Sequence, residues 1–327
     1  FKNNGYQAIR EGKMFHMGVP GTVGTAQWQD AASWTHNGSP QGKEHNSKGD
    51  GKNLTPKIGQ GVAMQYVRTP DPAEQADFDA ANRAIAHLEK HRNDPFFLGL
   101  GFVRPHVPMV APGKFFDLYP LEKVKPFVNP PNDLDDIPPI VPKTLGATAH
   151  DMGMNEDQRR EGLRAYYAAI SFMDEQLGRV LQTLDALKLR DNTVIVFQSD
   201  HGWHLGEHTF WQKRSLMEES AKVPFIIWEA HLQSFFMGLL FFVYLGGRGL
   251  ITSAIALGLG GMALLMAAHR ARQGLRVLTV RASLSGKAMQ VITTRTLEAL
   301  TRDPSQVFLG FGFEWLPVHS QRLYELA

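Results

Sequence analysis

The sequence contains no cysteine. This absence excludes disulfide bonds, thiolate zinc sites, iron–sulfur clusters and a cysteine nucleophile, so any metal site must use histidine, aspartate, glutamate or carbonyl oxygen. A strong net charge is also lacking, because 34 basic and 32 acidic residues give +2 at pH 7. With 43% apolar and 20% charged residues, the composition excludes a disordered or collagen-like chain. A length of 327 residues predicts about two globular domains.

The charges are unevenly distributed about residue 230. Residues 231–327 carry nine basic side chains, eight of them arginine, against four acidic ones. Residues 1–230 carry 25 basic and 28 acidic side chains. The two parts of the chain therefore differ in the kind and balance of their charged residues. The chain opens at Phe1 without a methionine or a basic and apolar leader, so we expect it to be a piece of a longer protein.

Buried strands alternate with helices in the first part of the chain. Apolar residues recur at intervals of three and four over 73–92 and 156–188, which predicts two helices. Short apolar runs predict the central strands of a sheet at 96–102, 193–198 and 223–228. The pattern indicates an α/β sheet with helices on its faces. Segment 1–72 shows little periodicity and is interpreted as a long surface excursion, while 104–150 has many prolines and no helical pattern.

The composition changes abruptly after residue 230. An apolar run covers 235–245, and 249–268 is free of charge over a length that nearly matches the roughly 20 residues needed to span a bilayer. We predict a transmembrane segment at 249–268, since several arginines follow it directly, with a buried core helix as the alternative. Beyond it, a small α+β tail is predicted, with strands at 275–280 and 307–313 around a helix at 285–300.

Polar residues follow two of the predicted strands. His106 comes after the first strand, and Asp200 and His201 come directly after the second. An isolated histidine in this position is more often structural, but an Asp-His-Gly at a strand end indicates a metal or anion site. A carboxylate with an imidazole suits a divalent cation, although calcium prefers more oxygen ligands than this segment offers. Lys13 and Lys213 add positive charge, which points to an anionic substrate.

Four motifs carry a family resemblance. They are Gly-Lys-Met-Phe-His at 12–16, Phe-Phe-Leu-Gly-Leu-Gly-Phe-Val-Arg-Pro-His-Val-Pro at 96–108, Tyr-Pro-Leu at 119–121, and Ser-Asp-His-Gly-Trp-His-Leu-Gly-Glu-His at 199–208 followed by Trp-Gln-Lys at 211–213. In this order and spacing they resemble the iduronate-2-sulfatase-like branch of the sulfatase family over about residues 1–229. The resemblance implies a partial alkaline-phosphatase-like sheet with flanking helices.

The resemblance also implies a role for each matching residue. Lys13 and Lys213 would hold sulfate oxygens of the substrate. His16 would lie near the activated nucleophile and His106 would contact the leaving oxygen. Asp200 and His201 would ligate the metal, which is calcium in this family. The neighbouring His204, Glu207 and His208 are expected at the rim of the site rather than in the chemistry.

Two parts of the family's pattern are missing from the sequence. Sulfatases use a formylglycine made within a Cys/Ser-x-Pro-x-Arg motif, and neither version occurs here; the upstream pair of aspartate metal ligands is missing too. Because the family places both before the point where this chain begins, we expect an N-terminal truncation. Without the nucleophile we expect an inactive sulfatase fragment.

The tail resembles a different family. Arg-Ala-Arg-Gln-Gly-Leu-Arg-Val-Leu at 270–278 and Val-Phe-Leu-Gly-Phe-Gly-Phe-Glu-Trp-Leu-Pro-Val-His-Ser-Gln-Arg-Leu at 307–323 are similar to the membrane-proximal start of TraD-type conjugative coupling factors. No phosphate-binding loop is present, and no direct nucleic-acid site is evident. We therefore expect a chimera with a partial sulfatase domain at 1–229, one or two membrane crossings within 235–268, and a coupling-factor-like cytoplasmic tail at 269–327.

The leading hypothesis is a sulfuric ester hydrolase fragment that acts on sulfated sugars or related sulfate esters. A phosphodiesterase or phosphonate hydrolase of the alkaline phosphatase superfamily is one alternative, because these enzymes share the Asp-His metal ligation at a strand end. A membrane component of a conjugation apparatus, with conjugation machinery as its partner, is the other. The expected location is the membrane, although the sulfatase family is usually exported.

Overall fold

The computed structural model describes residues 1–26, 30–59, 61–228 and 276–282. Its strands, in chain order, are β1 (Gln7–Gly12), β2 (His36–Asn37), β3 (Asp50–Asn53), β4 (Gln65–Thr69), β5 (Phe96–Gly101), β6 (Met109–Pro112), β7 (Thr193–Ser199), β8 (His204–Leu205), β9 (Trp211–Gln212), β10 (Phe225–Trp228) and β11 (Arg276–Ala282). Its helices are α1 (Ala76–Lys90), α2 (Gly113–Asp117), α3 (Ile140–Leu145), α4 (Glu156–Ala186) and α5 (Glu218–Ala221). Short 3₁₀ turns occupy Lys2–Asn4, Ala31–Ser33, Glu44–Asn46, Leu121–Lys123, Gly146–Thr148, His150–Gly153, Arg190–Asn192 and Glu207–Thr209.

The main sheet has six described strands in the order β10-β7-β11-β5-β1-β2. All neighbouring pairs are parallel except β10 with β7, which run antiparallel with Phe225 opposite Gln198. The strands predicted at 96–102 and 193–198 are confirmed as β5 and β7. The strand predicted at 223–228 is also present as β10, but it lies at one edge of the described sheet rather than at its centre. Ile227 of this strand is exposed.

Strand β1 was not predicted, since 1–72 was interpreted as a surface excursion. Six residues of this segment form β1, which pairs with β5 over its full length, from Gln7 opposite Phe96 to Gly12 opposite Gly101. Arg10 and Glu11 interrupt the apolar pattern of the strand, and both are buried. Ser39 contacts Arg10 and Arg83 contacts Glu11, so side chains distant in sequence accommodate these charges and local periodicity predicted no strand here.

Strand β11 joins the sheet from the part of the chain that was predicted to be a separate tail. It lies between β5 and β7 and is parallel to both, with Leu278 opposite Leu98 on one side and Ile195 on the other. Leu278 is fully buried. The predicted segments at 235–268, 285–300 and 307–313 lie outside the described residues. Within the described ranges, every helix is too short or too polar to span a bilayer.

Helix α4 confirms the long helix predicted at 156–188. Its N-terminus is fixed by a capping box, in which the Asn155 side chain accepts a hydrogen bond from the Gln158 backbone and the Gln158 side chain accepts one from the Asn155 backbone. The helix packs against α1, α2 and β6. Its fully buried face includes Leu163, Ile170, Leu177 and Leu184, and burying each such side chain contributes about 1.5–3 kcal/mol.

Helix α1 covers one face of the sheet at the β1 and β5 end, which confirms the helix predicted at 73–92. A second sheet, β3-β4-β6, packs beside α4 and α2. Strands β8 and β9 form a short antiparallel pair beyond β7, with Leu205 opposite Trp211. These two strands flank the segment that carries the polar residues described next.

Candidate functional site

The carboxyl ends of β1, β5 and β7 meet at one edge of the main sheet. All three strands run in the same direction, because β1 is parallel to β5 and β11 is parallel to both β5 and β7. Lys13 directly follows β1, while Asp200 directly follows β7. The loop after β5 carries His106. Open α/β sheets bind ligands at this kind of edge.

Two glycines bring the ends of β1 and β5 together. Gly12 has a φ of +74°, and a Cβ at this position would overlap the carbonyl oxygen of Gly101. A Cβ on Gly101 would in turn overlap the backbone of Lys13. The Lys13 N–H donates a hydrogen bond to the Gly101 carbonyl over 2.7 Å. The close approach therefore fixes the backbone of Lys13, whose side chain is buried.

Lys13, Asp200, His201 and Lys213 form a continuous chain of polar contacts. Lys13 Nζ lies 3.9 Å from Asp200 Oδ2, and His201 Nε2 lies 3.8 Å from Asp200 Oδ1. Lys213 Nζ donates a hydrogen bond to His201 Nε2 over 2.9 Å. The structure thus brings together four residues that are as far apart in sequence as 13 and 213. Their convergence was predicted from the sequence, and their chemical roles remain predictions.

The contacts of His201 define its protonation. Its Nδ1 donates a hydrogen bond to the Gly202 carbonyl over 2.7 Å, which leaves Nε2 to accept a hydrogen bond from Lys213. Burial, followed by the positive charge of Lys213, lowers the pKa of His201 below its ordinary value, while Asp200 acts in the opposite direction. His201 is therefore a neutral imidazole at pH 7.

His106 belongs to the same electrostatic site. It is buried, and its Nδ1 donates a hydrogen bond to the Val107 carbonyl over 2.7 Å. Burial holds the pKa of His106 well below its ordinary value, and the charges of Lys213 and Lys13 lower it further. His106 is consequently neutral at pH 7, and its Nε2 carries a lone pair that accepts a hydrogen bond.

A buried arginine organises the loop that carries His106. Arg104 Nη1 donates to the carbonyl of His106 over 2.7 Å and to that of Pro108 over 2.6 Å. Arg104 Nη2 pairs with the buried carboxylate of Glu44. Arg104 was quoted within a motif but assigned no role from the sequence. A buried arginine needs carbonyl and carboxylate partners, which only the folded chain shows.

Asp77 ties the same loop to the start of α1. Its carboxylate accepts hydrogen bonds from the backbone N–H groups of Val103 over 2.6 Å and of Arg104 over 3.0 Å. Burial raises the pKa of Asp77 to about 6, although Arg104 and the two backbone donors act against this rise. Helix α1 therefore anchors the backbone on the N-terminal side of His106.

The remaining predicted residues lie around this site. His16 follows Lys13 by three residues and is exposed. His204 Nε2 is paired with Ser215 Oγ at 2.7 Å, and Glu207 accepts the Leu205 N–H over 2.6 Å. His208 Nδ1 lies 2.9 Å from Asp133. These contacts hold the β8–β9 segment in place; His204 and Glu207 are buried, and a position at the rim of the site remains a prediction.

The donors described at Asp200 and His201 do not make a complete calcium site. Calcium takes six to eight oxygen ligands, whereas the described contacts join one carboxylate and one imidazole to two lysines. The ammonium of Lys13, 3.9 Å from Asp200, already balances its negative charge. These contacts alone would leave a calcium ion short of most of its oxygen ligands.

Known proteins resemble this chain over its first 234 residues. A family model described as Sulfatase matches residues 2–234. A sulfatase of Formosa agariphila is 35% identical over 240 residues, which cover 68% of this chain and 45% of that protein. Iduronate 2-sulfatase of Mus musculus is 32% identical over 250 residues, covering 70% and 44% respectively. The chain thus spans less than half the length of these relatives.

The fold resembles solved structures as well. The phosphonate monoester hydrolase of Agrobacterium radiobacter superposes with a TM-score of 0.55, covering 72% of this chain and 52% of the other at 18% sequence identity. At this level of identity the likeness concerns the fold alone. It confirms the predicted alkaline-phosphatase-like architecture for the described sheet. The family match ends at residue 234, so the similarity of 235–327 to coupling factors remains a prediction.

Proposed function

The chain belongs to the sulfatase family, and we propose that its described site binds the sulfate group of a sulfated sugar or a related sulfate ester. The observation that carries this proposal is the contact chain from Lys13 through Asp200 and His201 to Lys213. Two ammonium groups converge there on one strand edge. Hydrogen bonds from charged donors to anionic oxygens are about twice as strong as neutral ones.

Lys13 and Lys213 hold the sulfate oxygens in this proposal. Both ammonium groups lower the pKa of His106 and His201, so both histidines lie within range of their electrostatic interaction. A bound sulfate would replace the Lys13–Asp200 contact with a stronger interaction, because that contact spans 3.9 Å. Once Lys13 and Lys213 turn to the sulfate, Asp200 and the Nε2 atom of His201 are the groups available to a metal ion.

His106 is proposed to contact the substrate beside the sulfate. The family resemblance implies that His106 contacts the leaving oxygen, where a proton donor is needed. In the described state its Nδ1 proton is held by the Val107 carbonyl, and its Nε2 accepts hydrogen bonds. We therefore assign His106 Nε2 to a hydroxyl of the substrate, such as a sugar hydroxyl next to the ester. His16 is proposed to lie near the nucleophile of a complete site.

We propose that the chain binds sulfate esters without hydrolysing them. Hydrolysis requires a nucleophile that attacks sulfur. The sequence contains no cysteine and no Ser-x-Pro-x-Arg, so neither precursor of a formylglycine is present. His106 and His201, both neutral, are placed to accept protons or ligate rather than to replace that nucleophile. Export of the chain, which the family resemblance implies, is also a proposal.

Binding can be tested by calorimetric titration of the purified chain with a sulfated monosaccharide, using the unsulfated sugar as the ligand control. We expect Lys13→Met and Lys213→Met each to weaken binding by roughly tenfold or more, since a hydrogen bond to a charged group contributes about 1.5–3 kcal/mol. Lys222→Met is the matched control, because Lys222 is exposed and lies outside the contact chain. Equal affinity for the sulfated and unsulfated sugars would contradict the proposal.

Turnover is tested separately with an aryl sulfate in the presence of calcium. We expect no release of the phenol above background. Steady release that disappears in Asp200→Ala would show that the chain hydrolyses esters without a formylglycine, and would refute the proposed inactivity while leaving the binding proposal intact.

Two alternatives stay open as predictions. A phosphonate or phosphodiester hydrolase is distinguished by repeating the titration with a phosphonate monoester, which should then bind more tightly than the sulfated sugar. A conjugation component, with a membrane segment at 249–268, depends on residues that lie almost entirely outside the described ranges. Transfer genes next to this gene would favour it.

A further inference from the structure

Glu11, His36 and His87 form a second polar cluster on the face of the sheet that α1 covers. Glu11 lies in β1, His36 in the neighbouring β2 and His87 in the last turn of α1. Glu11 Oε1 is 2.7 Å from His36 Nε2 and 3.1 Å from His87 Nε2. One ligand atom from each residue lies within 4.8 Å of the other two. We propose that these three residues bind a divalent transition-metal ion, with Zn²⁺ as the best match.

The donor set suits zinc better than calcium or magnesium. Two imidazole nitrogens and one carboxylate oxygen are ligands that zinc takes in tetrahedral sites, whereas calcium and magnesium prefer oxygen alone. In a tetrahedral site, ligand atoms at 2.0–2.1 Å from zinc are separated by roughly 3.3 Å. The two distances from Glu11 Oε1 are slightly shorter, so an ion would enter with small side-chain movements.

The two histidines turn the same ring nitrogen toward one carboxylate oxygen. Both histidine Nε2 atoms approach the same oxygen, Glu11 Oε1, and the two imidazole rings have centroids 4.3 Å apart. Two protonated rings at this separation repel each other. Neutral rings can instead direct both Nε2 lone pairs to one ion, which would join Arg83 in neutralising the buried carboxylate of Glu11.

The surroundings hold the Glu11 carboxylate in place. Arg83 Nε lies 2.9 Å from Glu11 Oε2, so the guanidinium engages one oxygen and Oε1 faces the histidines. A Cβ at position 38 would overlap Glu11 Oε2, so the glycine there makes room for the carboxylate. In metal sites, residues that contact a ligand in the way Arg83 contacts Glu11 hold that ligand in its orientation.

The cluster is open to solvent on one side. Glu11 is fully buried, but the His36 side chain is 47% exposed and gives an ion a route to the site. His87 Nδ1 is buried and has no hydrogen-bond partner among the described residues. The cluster shares no residue with the sulfate site at Asp200, so the two proposals stand independently.

The experiment is a titration of the chelator-treated full chain with Zn²⁺ alone, followed by calorimetry. We expect one tight zinc site per chain. His36→Asn and His87→Asn should each lower the zinc affinity by at least about 100-fold, which is more than the loss of a residue that only orients a ligand. Because His36 is half-exposed, its replacement leaves the core intact. His91→Asn is the matched control, since His91 follows directly after α1 and pairs with Asp94 at 2.9 Å.

Cobalt supplies an independent readout. Co²⁺ bound to the wild-type chain should give the intense visible absorption of a tetrahedral site, and His36→Asn should abolish it. Asp200→Asn should leave both the zinc affinity and this absorption unchanged, which separates the second site from the sulfate site. Zinc affinity that is unaffected by His36→Asn and His87→Asn, or lost in Asp200→Asn, would overturn the proposal, as would the absence of zinc binding.

Discussion

The ionisation of His106 is set by the loop that carries it and by the cations that face it. Burial, Lys213 and Lys13 hold its pKa well below the ordinary value of 6.5 in the folded chain. The unfolded chain therefore binds more protons than the folded chain between the two pKa values. The free energy of unfolding must then rise with pH in this window, and the stability is lost as the pH falls below about 6.5.

We expect His106→Asn to flatten this pH dependence. Denaturant unfolding between pH 5 and 7 should give a slope that is smaller by up to about 1.4 kcal/mol per pH unit than in the wild type. His150→Asn is the control, because His150 is exposed. Asp77, whose pKa is raised to about 6, makes the free energy of unfolding fall as the pH rises at lower pH. This effect is the same in the wild type and in His106→Asn. An unchanged slope in His106→Asn would show that the histidine titrates normally.

At the scale of the elements, the junction of β1 and β5 decides where Lys13 lies. Gly12 and Gly5 both have positive φ, at +74° and +78°. Only Gly12 faces backbone, since a Cβ there would overlap the Gly101 carbonyl, whereas a Cβ on Gly5 meets nothing within 4 Å. The two positions thus share the same backbone strain and differ in the contact between strands.

We expect Gly5→Ala to lower the free energy of unfolding by about 1–2 kcal/mol, the cost of a left-handed residue with a Cβ. Gly12→Ala should cost at least about 2 kcal/mol more, because the two strand ends must also separate. It should also weaken binding of the sulfated sugar, while Gly5→Ala leaves that affinity unchanged. Equal losses of stability in both variants would contradict the close approach.

At the scale of the whole molecule, β11 joins the last described segment to the first part of the chain. It fills the position between β5 and β7, and these two strands make no direct pair with each other. Residues 269–327 were predicted from the sequence to form a separate tail. The register of β11, from Arg276 opposite Thr193 to Ala282 opposite Ser199, instead gives the sheet a continuous core.

We expect Leu278→Ala to lower the free energy of unfolding of the full chain by about 2–5 kcal/mol, because it removes a fully buried side chain from the centre of the sheet. Leu216→Ala is the control, and it should change stability by less than about 0.5 kcal/mol, since Leu216 is fully exposed. Denaturant unfolding measures both. A silent Leu278→Ala would mean that 276–282 lies outside the folded sheet in solution.

Elements with a local pattern could be predicted from the amino-acid sequence. Strands β5 and β7 are continuous apolar runs, and α4 repeats its apolar residues at helical spacing, so neighbouring residues were enough to identify them. The motifs at 12–16, 96–108 and 199–208 were enough to indicate the sulfatase family, because residue identity and order carry that information.

Features that require contacts between residues distant in sequence could be found only in the folded chain. Strand β1 contains the charges of Arg10 and Glu11, which are tolerated in the sheet because Ser39, Arg83 and the two histidines of the second cluster contact them. The place of β11 between two strands follows from pairing across the sheet. The contact of Lys13 with Asp200 requires parallel strands that end at one edge, and no local periodicity encodes such a meeting of side chains nearly two hundred residues apart.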